Sequence, residues 1–254
     1  LWHATTGVTF YDWPEIYDVW FGWPTDAEVR FLVAASARWG AGPPRRSLEP
    51  FCGTGRLLRA MPGTAVGFDL HAGALRLART KGCTVFRADA GRFAVAEGAF
   101  DFAFNLIDSF RHLLTEEAAR SHLAAVARAL RPGAVYVLGL DVTGDMARPP
   151  AAEEWEMERD GVRVAGTVRT LGDVDGETRV ETMETRCTVH RGGTSTTVEV
   201  YSPLRVYGRS DLEDLLRAEG SFEVAAVCDR HYDTARTVDP ARLEGSAVLV
   251  LRKP

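Results

Sequence analysis

Short apolar segments alternate with amphipathic segments along residues 45–141, and this alternation constrains the fold more than any other feature of the sequence. Strands separated by helices of about 10–15 residues are typical of βαβ units, which build a parallel sheet. We therefore predict an α/β protein with a doubly wound, mostly parallel sheet and an antiparallel C-terminal strand. The predicted strands are 47–51, 65–70, 84–90, 100–107, 134–142, 222–229 and 246–253, and the predicted helices include 56–61, 74–82, 116–133 and 210–220.

Two segments break this alternation. Residues 14–39 are predicted to form one or two helices, and the first 39 residues hold five of the six tryptophans. Residues 151–207 instead alternate β-branched and polar residues, which predicts an inserted antiparallel β meander of three or four strands. We expect three parts: an aromatic helical segment or lid (1–40), an α/β domain (41–150 and 208–254), and a β insertion (151–207) that covers the substrate or forms a dimer contact.

Composition argues against several classes of protein. No apolar run approaches the roughly 20 residues that cross a bilayer, so no membrane partner is expected. The start of the sequence is aromatic and acidic rather than basic and aliphatic, which is unlike a signal peptide, so a cytoplasmic location is expected. The four cysteines are scattered, so neither a metal site nor a disulfide framework is expected. The chain has 30 basic and 35 acidic residues without a basic cluster, which disfavours nucleic acid as a partner.

A glycine-containing loop follows the first predicted strand, and acidic residues follow this strand and the next two. Glu49 lies at the start of the loop, and Asp69 and Asp89 end the second and third strands. Such strand ends converge on one crevice, the usual ligand site of an open α/β sheet, where an acid such as Asp69 can accept both ribose hydroxyls of a nucleoside. The charge of Glu49 is unfavourable beside a pyrophosphate but favourable beside an ammonium and a sulfonium, which points to S-adenosylmethionine (SAM).

Five motifs over residues 47–142 resemble, in order, those of the class I SAM-dependent methyltransferases. They are Glu49-Pro50-Phe51-Cys52-Gly53-Thr54-Gly55, Gly67-Phe68-Asp69, Arg87-Ala88-Asp89-Ala90, Phe100-Asp101-Phe102-Ala103-Phe104-Asn105 and Leu130-Arg131-Pro132-Gly133-Ala134. The resemblance implies a Rossmann-like fold and an enzyme that transfers the methyl group of SAM and releases S-adenosylhomocysteine. One departure is that Phe51 stands where the family usually has its first glycine, so its side chain either crowds the methionine end of SAM or packs outward.

The resemblance also implies which residues hold SAM. The backbone of Phe51, Cys52, Gly53 and Gly55 would cradle the methionine moiety, with Glu49 near its ammonium. Asp69 would hold the ribose, Leu70 would flank the adenine, and Asp89 and Ala90 would read the adenine edge. Asp69 and Asp89 could instead cap helices, and Arg56 could be a solvated helix residue instead of a clamp for the carboxylate of SAM. The full set of predicted SAM-binding residues is Tyr17, Glu49, Phe51, Cys52, Gly53, Gly55, Arg56, Asp69, Leu70, Asp89, Ala90 and Asn105.

Three side chains are candidates for a general base. Asp108 and His112 follow the fourth predicted strand, and His231 lies in a loop between the last two strands. Amines deprotonate easily, whereas hydroxyl acceptors usually need a base. Asn105 is not followed by the Pro-Pro-Tyr/Phe motif with which some relatives methylate nucleic-acid base amines and glutamine amides.

The acceptor is expected to lie under the aromatic N-terminal segment and the β insertion. This arrangement resembles small-molecule N-methyltransferases, such as those acting on glycine or on nucleotide-linked amino sugars, so N-methylation is placed slightly ahead of O-methylation. The alternatives are a SAM-binding protein without transferase activity and a methyltransferase that acts on a macromolecule. The chain is expected to be a monomer or a homodimer. The predicted acceptor-binding residues are Tyr11, Trp20, Trp23, Tyr201, Arg205 and Tyr207.

Overall fold

The computed structural model describes residues 9–143, 152–172 and 174–254. Two helices open the described chain, α1 (Pro14–Trp20) and α2 (Asp26–Trp39). They are followed by β1 (Arg46–Pro50), β2 (Thr64–Asp69), α3 (Ala72–Thr80), β3 (Thr84–Arg87), β4 (Phe100–Asn105), α4 (Glu116–Ala129) and β5 (Leu130–Thr143). The remaining elements are β6 (Ala152–Arg159), β7 (Val162–Leu171), β8 (Val180–Arg191), β9 (Thr194–Arg205), β10 (Tyr207–Gly208), α5 (Arg209–Glu219), β11 (Glu223–Asp229) and β12 (Gly245–Arg252).

The central sheet has the strand order β11-β12-β5-β4-β1-β2-β3, with β10 paired to β5. Strands β1 to β5 run parallel to one another, whereas β12 is antiparallel to both β5 and β11. The prediction of a Rossmann-like, mostly parallel sheet with an antiparallel C-terminal strand is confirmed. Among the described residues, no helix is both long and apolar enough to cross a membrane.

Helices cover both faces of the central sheet because its strands carry apolar side chains on both sides. Phe102 and Phe104 of β4 point to one face, where they pack against Phe31 and Leu32 of α2. Ala103 points to the opposite face, whose core includes residues of α4 and α5. This period-two alternation gives the sheet two apolar faces, as a doubly wound fold requires.

A separate antiparallel sheet has the order β6-β7-β8-β9, which is the predicted meander with four strands. Val164, Val198 and Val200 of this sheet pack against Phe10 and Trp20 of the N-terminal segment. The meander is therefore joined to the aromatic helices by an apolar core of its own.

The structure corrects one local prediction and shows how α5 begins. The helix predicted at 56–61 is only a 3₁₀ turn at Leu58–Ala60, because Pro62 and Gly63 follow it and Gly63 has a positive φ of 77°. Gly208 is the N-cap of α5, and its backbone N–H donates to Oδ2 of Asp211 at 3.0 Å.

Candidate active site

Three adjoining cavities lie beyond the carboxyl ends of β1, β2, β3 and β4. The largest, of about 260 Å³, is lined by residues that follow β1, β2 and β3 and is called the strand-end cavity. The second, of about 180 Å³, lies between the segment after β4 and the meander and is called the meander cavity. The third, of about 40 Å³, lies at Glu49 and Asn105 and is called the small cavity. Tyr17 and Ser109 line all three, so the cavities form one continuous site.

The loop after β1 needs left-handed backbone conformations. Gly53 and Gly55 have φ angles of 53° and 77°, and Phe51 has a φ of 54°. A Cβ atom on Gly55 would lie 2.6 Å from Sγ of Cys83, so this glycine allows the loop to pack against the core. Phe51 lines both the strand-end cavity and the small cavity, and its ring also packs on the ring of His122 at 5.5 Å. Phe51 therefore forms part of the wall between two cavities.

Asp69 ties the loop to the end of β2. Its Oδ2 accepts a hydrogen bond from the backbone N–H of Gly53 at 3.0 Å, and its Oδ1 accepts one from His71 at 2.8 Å. Asp69 and the half-exposed Leu70 both line the strand-end cavity. The carboxylate thus lies in the cavity and also holds the glycine loop against the neighbouring strand.

Asp89 and Ala90 line the same cavity at the end of β3. Oδ1 of Asp89 accepts a hydrogen bond from the backbone N–H of Gly91 at 2.8 Å. Among the described residues, Oδ2 of Asp89 and the backbone N–H of Ala90 make no hydrogen bond. This edge of the cavity therefore offers one free acceptor and one free donor side by side.

The small cavity contains two buried oxygen atoms that lack a hydrogen-bond partner. They are Oε2 of Glu49 and Oδ1 of Asn105, whereas Nδ2 of Asn105 donates to the carbonyl of Pro50 at 3.0 Å. Burial raises the pKa of Glu49 well above its ordinary value. Buried acceptors without a donor are rare in folded proteins, so these two atoms indicate a ligand that donates hydrogen bonds. A ligand ammonium at this position meets that need.

Arg56 lines the small cavity, but its charge is already paired. It forms a bidentate ion pair with Glu28 of α2 at 2.6 and 2.7 Å, and its guanidinium lies 4.7 Å from the ring centre of Trp23. Cys52 also lines this cavity, and burial raises the pKa of its thiol well above the ordinary value. Sequence reasoning missed Glu28, because no local pattern connects an acid on α2 with an arginine of the glycine loop.

Helix α1 brings Tyr17 and Asp18 to the glycine loop. Buried Asp18 accepts a 2.6 Å hydrogen bond from Oγ1 of Thr54 and forms ion pairs with Lys81 and with Arg159 of β6. Although burial alone would raise the pKa of Asp18, hydrogen bonds from Lys81, Thr54 and Arg159 hold it below its ordinary value. Asp18 was not predicted as a site residue, and it connects the glycine loop with the meander.

His112 lies where the strand-end cavity meets the meander cavity and lines both. Its Nε2 is 2.8 Å from the hydroxyl of Tyr11, which also lines both cavities. Burial, with a smaller contribution from nearby Arg111, lowers the pKa of His112 to about 4. The imidazole is therefore neutral at physiological pH.

Asp108 lines the meander cavity but is more constrained. Its Oδ2 accepts from Arg111 at 2.8 Å, and its Oδ1 accepts from the backbone N–H of Asp141 at 2.8 Å. Burial raises its pKa to about 6 despite the charge of Arg111. Arg111 also forms an ion pair with Glu181 of β8, so the segment after β4 is attached to the meander.

Several predicted acceptor residues are not brought to these cavities. Trp20 is fully buried and stacks on Trp155 at 4.2 Å, and Tyr207 is buried in the core below α5. The ring of Trp23 packs against the guanidinium of Arg56 and does not line a cavity. These aromatic side chains fill apolar space between elements, so they are not among the residues that line the three cavities.

Tyr201, Arg205 and His231 also lie away from the cavities. Tyr201 is 44% exposed because β9 alternates, and its hydroxyl donates to Glu199 at 2.7 Å on the outer face. The guanidinium of Arg205 lies against the ring of Tyr207 at 5.6 Å. His231 is exposed, and its backbone N–H donates to Asp229.

The meander contributes different residues from those predicted. Ser202 and Leu204 of β9 line the meander cavity, together with Trp155 of β6 and Met183 and Thr185 of β8. The sequence held a signal for the β9 pair, because Val198 and Val200 place the apolar face at even positions and Ser202 and Leu204 continue that face. Tyr201 belongs to the opposite face. The prediction chose Tyr201 because it is aromatic, although the two-residue alternation of β9 places it on the outer face.

Comparisons with known proteins agree with this geometry. Residues 48–133 match the family model described as a methyltransferase domain. No curated protein sequence matches the chain significantly. Among solved structures, DesVI of Streptomyces venezuelae has a TM-score of 0.72 at 19% identity and covers 95% of this chain and 98% of its own.

Two further structures are similar over nearly their whole length. The sugar N-methyltransferase KedS8 of a Streptoalloteichus species has a TM-score of 0.68 at 21% identity and covers 100% of this chain and 96% of its own. CalS10, an amino pentose methyltransferase from Micromonospora echinaspora solved with SAM bound, has a TM-score of 0.64 at 24% identity and covers 97% and 93%. The match over residues 48–133 is thus to a methyltransferase domain, and the three solved structures share the fold of nearly the whole chain.

Proposed function

We propose that the chain methylates an amine of a small molecule that binds in the meander cavity. The observation that carries this proposal is the charge and shape of that cavity, which opens from the strand-end cavity at Tyr11, Tyr17 and His112. A space of about 180 Å³ suits a small acceptor better than a macromolecule.

The balance of charges favours a cationic or neutral acceptor. Each arginine that lines the meander cavity has its own carboxylate: Arg111 has Asp108 and Glu181, Arg169 has Glu184, and Arg230 has Asp141. Glu153, which also lines the cavity, forms no ion pair among the described residues. The arginines are therefore neutralised, and the carboxylate of Glu153 shares the cavity with the aromatic rings of Tyr11, Phe21 and Trp155, an environment that suits an ammonium.

SAM fits the other two cavities through groups that the structure leaves free. The small cavity would take the methionine end, where Oε2 of Glu49 and Oδ1 of Asn105 would accept hydrogen bonds from the ammonium. The strand-end cavity would take the nucleoside, with Asp69 at the ribose hydroxyls and with Asp89 and Ala90 at the adenine edge. Arg56 would keep the glycine loop on α2 instead of binding the carboxylate of SAM, because Glu28 already neutralises it.

When bound, SAM supplies a methyl group on a positively charged sulfur, which the acceptor nitrogen attacks in line while the C–S bonding electrons stay on sulfur. The chain has to hold the nitrogen against the methyl and exclude water. Tyr17 and Ser109 line all three cavities and are placed to do so. An amine that binds as an ammonium must lose one proton before its lone pair can attack, and the methylated nitrogen then carries the positive charge that leaves the sulfur.

His112 is the group that takes up this proton in our proposal. It lines both large cavities, its pKa of about 4 keeps it neutral, and Tyr11 holds its Nε2. Among the described residues, Nδ1 of His112 has no hydrogen-bond partner. Asp108 is less suited, because Arg111 and the Asp141 backbone already engage both of its oxygens.

Residues 9–40 and the meander would together select the acceptor, whereas residues 41–143 and 208–254 would bind SAM. KedS8 is a sugar N-methyltransferase and CalS10 is an amino pentose methyltransferase, which supports amino sugars as the first acceptors to test.

The test measures S-adenosylhomocysteine formed from SAM with a panel of amino sugars, free and as nucleoside diphosphate conjugates, each beside the matching sugar with a hydroxyl in place of the amine. We expect turnover with at least one amine and at least about tenfold less with its hydroxyl partner. Turnover of hydroxyl sugars alone would overturn the amine assignment. Calorimetry with S-adenosylhomocysteine, with Asp69→Ala as control, tests the cofactor site separately.

A further inference from the structure

A fully buried histidine lies directly behind the adenine edge of the proposed SAM site. His122 of α4 has no exposed surface, and its ring packs against Phe51, Phe93 and Phe110. Its Nδ1 is 3.0 Å from the carbonyl oxygen of Ala90, and its Nε2 is 3.1 Å from the hydroxyl of Tyr136 on β5. Both ring nitrogens are therefore paired, and His122 is not among the residues that line the three cavities.

The chemistry of these partners fixes the tautomer. A carbonyl oxygen can only accept, so Nδ1 of His122 must carry the proton that it donates to Ala90. Burial lowers the pKa of His122 to about 4, so the ring is neutral and Nε2 accepts from the Tyr136 hydroxyl. Both hydrogen bonds therefore donate in the same direction. The Tyr136 hydroxyl donates to Nε2 of His122, and Nδ1 of His122 donates to the carbonyl of Ala90.

The peptide between Ala90 and Gly91 extends this series of hydrogen bonds to the strand-end cavity. The carbonyl of Ala90 and the N–H of Gly91 belong to one planar peptide, and that N–H donates to Oδ1 of Asp89 at 2.8 Å. The chain of hydrogen bonds therefore runs from Tyr136 through His122 and the Ala90–Gly91 peptide to the carboxylate of Asp89. Hydrogen bonds in such a chain polarise one another and fix each group in orientation.

We propose that His122 is a positioning residue that sets the discrimination of this enzyme for adenine, by holding the Ala90–Gly91 peptide and through it Asp89. The inference rests on the proposed function, in which Asp89 and Ala90 face the adenine. Adenine presents an amino donor to Asp89 and a ring acceptor to the Ala90 N–H. Hypoxanthine presents a carbonyl to Asp89 and a protonated ring nitrogen to the Ala90 N–H. If Asp89 and Ala90 are held rigidly, both contacts are unfavourable.

The experiment compares the affinities of S-adenosylhomocysteine and S-inosylhomocysteine for the full chain by calorimetry. His122→Leu removes both hydrogen bonds of the imidazole. His122→Asn retains a donor at the position of Nδ1 and can rescue the bond to Ala90. Phe93→Leu is the matched control, because Phe93 packs on His122 at 5.9 Å and does not line any of the three cavities.

We expect the preference of the wild type for the adenosyl ligand to fall by about tenfold in His122→Leu, and to stay within about twofold of wild type in His122→Asn and Phe93→Leu. If His122→Leu does not fold, the double variant His122→Leu/Tyr136→Phe, which leaves no unpaired hydroxyl, is measured in its place. An unchanged preference in that variant, with both ligands weakened equally, would show that His122 only packs the core. Failure of the wild type to bind S-adenosylhomocysteine would overturn the proposed function instead.

Discussion

The indoles of Trp20 and Trp155 stack 4.2 Å apart, and each donates its ring N–H to the backbone carbonyl of the other, at 3.2 and 3.0 Å. Trp20 ends α1 and Trp155 lies on β6, so this reciprocal contact fastens the meander to the helix that carries Tyr17 and Asp18. The acceptor side and the cofactor side of the site are joined at this point.

Removing the Trp155 ring should therefore destabilise the fold and weaken ligand binding, because this contact joins the acceptor side of the site to the cofactor side. We expect Trp155→Ala to lower the free energy of unfolding by about 3 kcal/mol, because a large packed ring and the hydrogen bond that its N–H donates to the carbonyl of Trp20 are lost. Thermal denaturation measures this, and calorimetry should show weaker binding of S-adenosylhomocysteine. Trp39→Ala, at the end of α2, is the control for loss of a tryptophan outside this contact. Unchanged ligand affinity in Trp155→Ala would mean that the meander does not support the cofactor site.

Asp18 should be costly to remove because its cationic partners are partly buried. Lys81 has a side-chain exposure of only 17%, and Asp18→Ala leaves it without its carboxylate. We expect a loss of about 3 kcal/mol in the free energy of unfolding. The double variant Asp18→Ala/Lys81→Met should regain part of that loss, since the unpaired charge is gone. Strictly additive effects in denaturant titrations would contradict a direct coupling of the two residues.

Substitution of Glu49 should weaken ligand binding without lowering the free energy of unfolding. Burial raises its pKa, so the folded chain holds its proton above the pH at which the unfolded chain releases it, and the contribution of Glu49 to stability falls as pH rises. Glu49→Gln should therefore fold at least as stably at neutral pH. Its affinity for S-adenosylhomocysteine should drop by about tenfold or more, because a charge-assisted hydrogen bond is lost.

The pH dependence of binding follows from the same group. A ligand ammonium prefers ionised Glu49, so wild-type affinity should rise with pH through the raised pKa and the rise should vanish in Glu49→Gln. Calorimetry in buffers of different ionisation enthalpy would detect the proton released on binding. Equal pH profiles for the two proteins would place the ammonium elsewhere.

His112 should affect turnover but not cofactor affinity. We expect His112→Gln to reduce kcat by about 100-fold with any accepted amine, while S-adenosylhomocysteine affinity stays within about twofold. In a profile of kcat against pH, the midpoint of the fall at low pH (the acid limb) should equal the pKa of the base. A limb near 4 is expected for His112, because it accepts a proton only when neutral. A limb near 6 would assign the role to Asp108 instead.

His122 predicts a pH-dependent stability of its own. Its folded pKa of about 4 lies below the value of 6.5 expected when it is exposed, so the unfolded chain binds the proton first as pH falls. The stabilisation by His122 is complete above pH 6.5 and is lost progressively towards pH 4, by about 3 kcal/mol in total. The difference in unfolding free energy between wild type and His122→Asn should narrow over that range. A constant difference would show that the ring is not held neutral.

The cofactor side of the site could be located from the sequence because its residues lie where short, ordered motifs meet the ends of parallel strands. The positions of Glu49, Asp69 and Asp89 follow once the strands are assigned, since parallel strands bring their carboxyl ends to one edge. Phe51 was recognised as a departure, but only its φ of 54° shows that a non-glycine residue keeps the left-handed conformation there.

The acceptor side could not be located in this way because long-range packing decides it. Which part of the chain the inner face of the meander meets depends on the contact of Trp155 with Trp20, which lie 135 residues apart. The pairing of Arg56 with Glu28 and of Asp18 with Arg159 likewise joins residues that no local pattern connects.

The sequence by itself determined the α/β sheet, the order of its motifs and the residues at the strand ends, because backbone periodicity and strand direction are local properties. The tertiary structure alone decided which aromatic side chains line the cavities and which fill the core, which carboxylates remain free, and where His122 acts. These depend on the burial and partners of each side chain, and burial is fixed only when all elements have packed together.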